Sequence, residues 1–205
     1  MGFGELNRRW FAAAVLALLS AILLSACGAT KLVVAPSPSK VDVATPDMVA
    51  LKAKSHIPDC PKPETRGGVL PTFTVKCLGG GNSVDLSTLK GPLVINFWQS
   101  ACPPCRKEMP ALEAFHKQYP QVQVLGVDTT DTLPGVALKL ATKRGITYPL
   151  VADPGGDLQS TKLRIRGTPA FWMLSADGKL SYHIGGLTSV DQIKQMVEQS
   201  MGIHL

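Results

Sequence analysis

The sequence has one Cys-x-x-Cys, at Cys102–Cys105, and neither a second such pair nor a Cys/His cluster that could complete four ligands. A zinc site is therefore not its natural reading. Its four histidines, His56, His116, His183 and His204, are scattered without metal-ligand spacing and read as ordinary surface or satisfied residues. There is no basic run and no interleaving of aromatic with basic residues, so the net charge of +6 reads as a solvated surface and nucleic acid is not an expected partner. The triple glycine Gly79–Gly81 is followed by no Lys-Ser/Thr, which removes the phosphate-loop reading. No constellation that would activate a peroxide accompanies any cysteine.

The N-terminus has the layout of an exported protein. Arg8 and Arg9 precede the uncharged run Phe11–Ala26, whose 16 residues are short for a bilayer span and suit a signal peptide. The run ends Leu24-Ser-Ala-Cys27-Gly28, which resembles the bacterial lipoprotein cleavage box. That resemblance implies removal of residues 1–26 and a lipid on Cys27, anchoring the chain to the outer side of the cell membrane. An uncleaved anchor is the alternative. Residues 27–57 read as the lipidated cysteine and a flexible linker, with Ala35-Pro-Ser-Pro-Ser-Lys40 and Thr45-Pro46 favouring extended backbone and no sustained apolar period. Residues 58–205 are expected to form one domain.

Of five cysteines, Cys27 is assigned to lipid, and Cys102 with Cys105 to chemistry. Cys60 and Cys77, 17 apart, remain, and in an oxidising compartment they are expected to pair as a structural disulfide. Loop-closure entropy makes such a bridge worth about 3 kcal/mol. The alternative is a second redox pair, which lacks a helix start to activate its thiols.

Patterning from residue 69 onward alternates strands with helices. Thr72–Lys76 alternates as a strand, and Gly79-Gly-Gly-Asn82 is a turn. Leu93–Trp98 is a continuous apolar strand of the kind covered on both faces. A helix follows over about Pro103–Tyr119, with Pro103 suited to its first position and Pro110 expected to kink it. Val122–Asp128 reads as a second buried strand and Leu133–Arg144 as a helix, an order that demands a right-handed parallel crossover. Tyr148–Ala152 reads as a short edge segment and Gly156–Leu163 as a short helix. Ala170–Ser175 and Lys179–Ile184 flank the hairpin signal Ala176-Asp-Gly178, and Val190–Met201 is an amphipathic helix. The sum is a βαβ unit joined to a ββα unit, an α/β thioredoxin-like fold with a central mixed sheet flanked by helices and an N-terminal extension.

Within this layout Cys102 and Cys105 fall one turn apart at a helix start, on one face, close enough to bridge or to open as a dithiol. Unpaired backbone N–H groups and the helix dipole there stabilise a thiolate, lowering the pKa of the first cysteine. A static bridge closing so short a loop would constrain the unfolded chain little, so redox chemistry is the favoured reading.

Over about residues 69–202 the chain resembles the TlpA/ResA-like family of exported thioredoxin-like thiol–disulfide oxidoreductases. The resemblance is carried by Val94-Ile-Asn-Phe-Trp98, Cys102-Pro-Pro-Cys-Arg-Lys-Glu-Met-Pro110, Gly126-Val-Asp128, Tyr148-Pro149, Gly167-Thr-Pro169 and Asp177-Gly178. It implies that Cys102 is the nucleophile and Cys105 the resolving thiol. It also implies that Pro169 is cis and packs against the pair, leaving Thr168 to hydrogen-bond an incoming substrate strand. Glu108 would be a partly buried acid that tunes or transfers the proton of Cys105, against the alternative of a solvent-facing glutamate. Asn96 stands where ordinary thioredoxin has a buried Asp. Two departures affect the potential: Ala101 replaces the family's usual Trp, and Pro103-Pro104 removes two backbone donors.

The implied activity is a membrane-tethered reductase of disulfides in exported proteins, apocytochrome c foremost, fed electrons by a membrane partner and needing no cofactor or metal. An oxidase inserting disulfides is the alternative on the same cysteines. A copper-delivery protein, with the Cys pair and His183 as ligands, is the alternative of another class.

Overall fold

The computed structural model describes residues 38–62 and 67–205. The leader and Cys27 lie outside the described residues. The elements in chain order are α1 (Pro46–Ala53), β1 (Thr74–Cys77), β2 (Val84–Asp85), β3 (Leu93–Trp98), α2 (Pro103–Gln118), β4 (Gln123–Thr129), α3 (Pro134–Lys143), β5 (Leu150–Asp153), β6 (Ala170–Leu174), β7 (Leu180–Ile184) and α4 (Val190–Met201). Short 3-10 turns cover Pro38–Lys40, Leu86–Thr88 and Asp157–Ser160.

All six residues of β3 are buried, as a continuous apolar strand requires when both faces of its sheet are covered. β3 lies inside a seven-stranded mixed sheet of order β2-β1-β5-β4-β3-β6-β7. It runs parallel to β4, with Trp98 opposite Asp128, and antiparallel to β6, with Phe97 opposite Ala170. That register brings three segments to one sheet end: the chain leaving β3 toward Cys102, the end of β4, and Pro169 just ahead of β6.

Side chains alternate across the sheet. Val94 and Trp98 join the cluster that includes Leu112 and Phe115 of α2, Leu138 of α3 and Ile193 and Val197 of α4. Leu93, Ile95 and Phe97 face the opposite cluster, where Leu70, Leu86, Leu158 and Leu163 come from connecting segments. Burial of Phe97, Trp98, Phe115 and Phe171, each at most 1% exposed, stabilises the fold by roughly 1.5–3 kcal/mol per side chain. α4 is delimited by its caps: the Ser189 hydroxyl accepts the Gln192 N–H, and Gly202 closes the helix in the left-handed region.

The structure differs from the sequence-based expectation in two places. Residues 42–57 were expected to be flexible linker, yet Pro46–Ala53 is helical, and Val43, Met48 and Ile57 are buried in the helix-side cluster. Residues 36–205 form one compact unit. The apolar residues responsible are too sparse to set a helical period, and they become core by joining the cluster that includes Leu78 and, from α3, Leu138. The segment after Tyr148 was expected at a sheet edge. Instead β5 is interior, parallel to β4 on one side and antiparallel to β1 on the other. Its four residues are all buried.

Candidate active site

α2 begins where β3 runs out, after the connector Gln99–Ala101. Cys102 is the N-cap residue, and its Sγ accepts the Cys105 backbone N–H at 3.2 Å. The two cysteines are disulfide-bonded, with Cα atoms 5.3 Å apart. Cys102 is 7% exposed and Cys105 fully buried, so the sulfur nearer solvent is the one at the helix cap. Ala101, Pro103 and Pro104 are exposed around it. The connector is held from two sides: Arg106 Nε donates to the Ser100 carbonyl at 2.6 Å, and Asp131 Oδ2 accepts the Ser100 N–H at 2.7 Å.

Glu108 lies one helical turn beyond Cys105 and has no solvent exposure. The alternative of a solvent-facing glutamate therefore fails. Burial pushes its carboxyl up to about 8, against the opposing hydrogen bond from Asn96. Asn96 Nδ2 donates to Glu108 Oε1 at 2.8 Å, and a backbone hydrogen bond from Leu187 also opposes the shift. Sequence reading took Asn96 only as the loss of an acid. Its position as the amide that orients another acid became visible only when α2 was laid against β3.

The Thr168–Pro169 peptide bond is cis, as the resemblance implies. Pro169 is buried and Thr168 half-buried. The Pro169 carbonyl accepts the Gly185 N–H at 3.0 Å. A Cβ at neighbouring Gly186 would lie 3.6 Å from Pro169 Cγ, 3.7 Å from Glu108 Oε2 and 3.9 Å from Pro104 Cβ. Gly186 thus marks a gap where the proline, the buried acid and the redox turn converge. No sequence signal singled it out.

Asp128, quoted in the sequence only as part of a motif, is fully buried. Burial raises its pKa well above the ordinary carboxylate range, and the charge of Asp131 and a hydrogen bond with it raise it further. Asp131 is the acid that holds Ser100, and hence the connector to Cys102.

Cys60 and Cys77 form the second disulfide, with Cα atoms 5.9 Å apart. It lies apart from the site, since Cys77 pairs with Val151 of β5 and β4 intervenes before β3. His183 does not converge with the Cys102–Cys105 pair. Among the described residues, Asp59, Cys60 and Cys77 are the one group of potential ligands that cluster, and two of these are spent in the bridge.

The AhpC/TSA family model matches residues 67–183. The thiol–disulfide oxidoreductase ResA of Halalkalibacterium halodurans is 32% identical over 126 residues, covering 59% of this chain and 67% of that protein. ResA of Bacillus thuringiensis strain Al Hakam is 30% identical over 132 residues, covering 62% and 74%. A secreted Mycobacterium tuberculosis disulfide oxidoreductase, described as homologous to E. coli DsbE, superposes with a TM-score of 0.55 at 26% identity. That match covers 62% of this chain and 96% of the other.

Proposed function

The chain belongs to the AhpC/TSA family of thioredoxin-fold proteins and is a thiol–disulfide oxidoreductase; from that premise we propose that it exchanges electrons through Cys102 and Cys105 and reduces disulfides of exported proteins at the outer membrane face. The observation that carries this reading is the pairing of a cysteine at a helix cap with a buried, proton-holding glutamate one turn beyond its partner.

In the reduced enzyme the Cys102 thiolate, stabilised by the N-terminal amides of α2, attacks a substrate disulfide. One substrate sulfur leaves as a thiolate and a mixed disulfide forms. Cys105 then attacks the Cys102 sulfur, releasing the second substrate sulfur and regenerating the Cys102–Cys105 bond. Cys105 is fully buried, so its thiol needs a local base to become a nucleophile. Glu108, its neighbour on the helix face, takes that proton when ionised. A carboxyl near 8 is protonated in most molecules at pH 7, so it can also return a proton in the opposite half-reaction. Pro169, with half-buried Thr168, walls the redox turn and offers an edge on which an extended substrate segment can lie.

Lipidation at Cys27 would tether the enzyme beside a membrane partner that resets the pair. Apocytochrome c is the substrate that the family resemblance favours. Among the described residues no helix is long and apolar enough to cross a membrane.

The test is the reduction potential of the Cys102–Cys105 pair in the full chain, equilibrated with defined thiol buffers. A value at or below about −270 mV supports the reductase. A value of about −120 to −180 mV overturns it in favour of disulfide insertion.

A further inference from the structure

Lys52, on α1, is buried, and its ammonium is aimed at a sulfur that in the bridged state is a poor acceptor. Nζ donates to Cys77 Sγ at 3.0 Å and to the Gly80 carbonyl at 2.6 Å. Its side chain is 10% exposed. Asp59 completes the cluster, with Oδ1 3.7 Å from Lys52 Nζ and 3.7 Å from Cys77 Sγ. Its carboxylate is already committed to the Cys60 N–H at 2.8 Å and to the backbone and side-chain N–H groups of Asn82 at 3.2 Å each.

We propose that Cys60–Cys77 is a second thiol–disulfide exchange site, in which Cys77 departs as a thiolate held by Lys52 and the reactant is a low-molecular-weight thiol.

A cation beside a disulfide sulfur interacts weakly with it, but beside a thiolate it makes a charge-assisted hydrogen bond. An interaction stronger in the reduced than in the bridged state shifts the equilibrium toward reduction. It also makes that sulfur the better leaving group. The opposing carboxylate is the weaker influence: it lies farther from Cys77 Sγ than Lys52 Nζ does, its side chain is 55% exposed and so screened, and three N–H donors share its charge.

The surroundings suit a small reactant. A groove of about 350 Å³ opens beside the lysine head, lined by Val49, Lys52, Ile57, Asp59 and Gly79–Gly81, with neither cysteine in its wall. Gly81 has φ +111°, and a Cβ there would lie 1.8 Å from Asp59 Oδ1, so the bare glycine both keeps the groove open and admits the acid. Cys60 and Cys77 are 3% and 2% exposed, too enclosed for a folded protein partner to reach without opening the domain.

Electrons and atoms balance without a cofactor. A thiolate RS⁻ attacks Cys60 Sγ, the Cys60–Cys77 bond breaks, and its electron pair leaves on Cys77 Sγ beside Lys52. A second RS⁻ attacks the R-bearing sulfur of the mixed disulfide, giving RSSR and the Cys60 thiolate, which takes a proton. Two thiols are oxidised by two electrons, and the bridge is reduced by two. This chemistry is independent of the roles given to Cys102 and Cys105.

The test equilibrates the full chain with graded glutathione buffers, followed by acid quench, alkylation and peptide-resolved mass spectrometry. The expected result is a reduction equilibrium constant for Cys60–Cys77 at least about tenfold larger in the wild type than in Lys52→Met, with Lys52→Arg restoring it to within about threefold. The glutathione adduct should sit on Cys60, in protein whose circular dichroism remains native. Coincident titrations of wild type and Lys52→Met, an adduct on Cys77, or opening only on unfolding would overturn the proposal. Should Lys52→Met fail to fold, the reduced wild type decides: faster alkylation of Cys77 than of Cys60 at pH 6 supports it, and the reverse order overturns it.

Discussion

The two disulfides of this chain sit in the same domain with nearly the same burial, yet different parts of the fold serve them. Cys102–Cys105 caps a helix, so backbone amides and a buried carboxyl surround it, and its span of three residues does little to restrain the unfolded chain. Cys60–Cys77 spans 17 residues, ties the segment after α1 to β1, and has side-chain charges for neighbours. Burial alone does not separate a reactive from a restraining bridge. What separates them is which groups can hold the charge that appears when the bond opens, and how much chain the bond closes.

The largest contrast comes from opening each bridge in turn. Cys102→Ser should abolish exchange with a protein disulfide, a loss of at least about 10³-fold, measured as the rate of reduction of a fluorescent disulfide substrate. The Cys60→Ser/Cys77→Ser double variant should retain that rate within a few-fold.

Glu108→Gln probes the buried acid beside the first bridge, where the second has only the exposed Asp59. Exchange should slow by about 10²-fold near pH 7, and the limb of the pH–rate profile that rises through about 8 should vanish. Stability follows the same group. Its folded pKa is raised from 4.5 to about 8, so its contribution is fully present below 4.5 and is lost as pH climbs through about 8. The slope is up to about 1.4 kcal/mol per pH unit. Glu108→Gln should flatten it in urea melts from pH 5 to 9.

The double Cys60/Cys77 variant should instead lose about 3 kcal/mol of unfolding free energy, read as a shift in urea midpoint. A loss below about 1 kcal/mol would show that the bridge adds little restraint to the surrounding packing. The smallest expected effect is at the rim. Ala101→Trp places a ring on the exposed surface beside Cys102 and should change KM for a protein substrate a few-fold with kcat unchanged. An equal fall in kcat would mean that the ring disturbs the redox turn itself.

Much of this arrangement is legible in the order of residues. β3 is found at Leu93–Trp98 because an unbroken apolar run has one natural home, the doubly covered middle of a sheet. α4 is found at Val190–Met201 because its apolar residues recur at helical spacing. The Cys-x-x-Cys at a strand–helix junction identifies its chemistry through local geometry alone. Other features leave no such trace. β5 is short enough to read as an edge segment, and β1, returning antiparallel on its far side, makes it interior. α1 carries two apolar residues that become core, Met48 and, partly buried, Leu51, too few to announce a helix.

The sequence by itself determined the elements whose signals are local: periodicity, caps, turns, the redox pair at a helix start, and two leftover cysteines suited to pairing. The tertiary structure alone decided what depends on distant residues meeting. It set Asn96 against Glu108, Asp131 beneath Ser100, Gly186 over the gap beside Pro169, and Lys52 against Cys77. The physical reason is that backbone propensity acts over one turn or one strand. Desolvation and charge pairing, which tune an acid or a sulfur, depend on whatever the folded chain brings within a few ångströms.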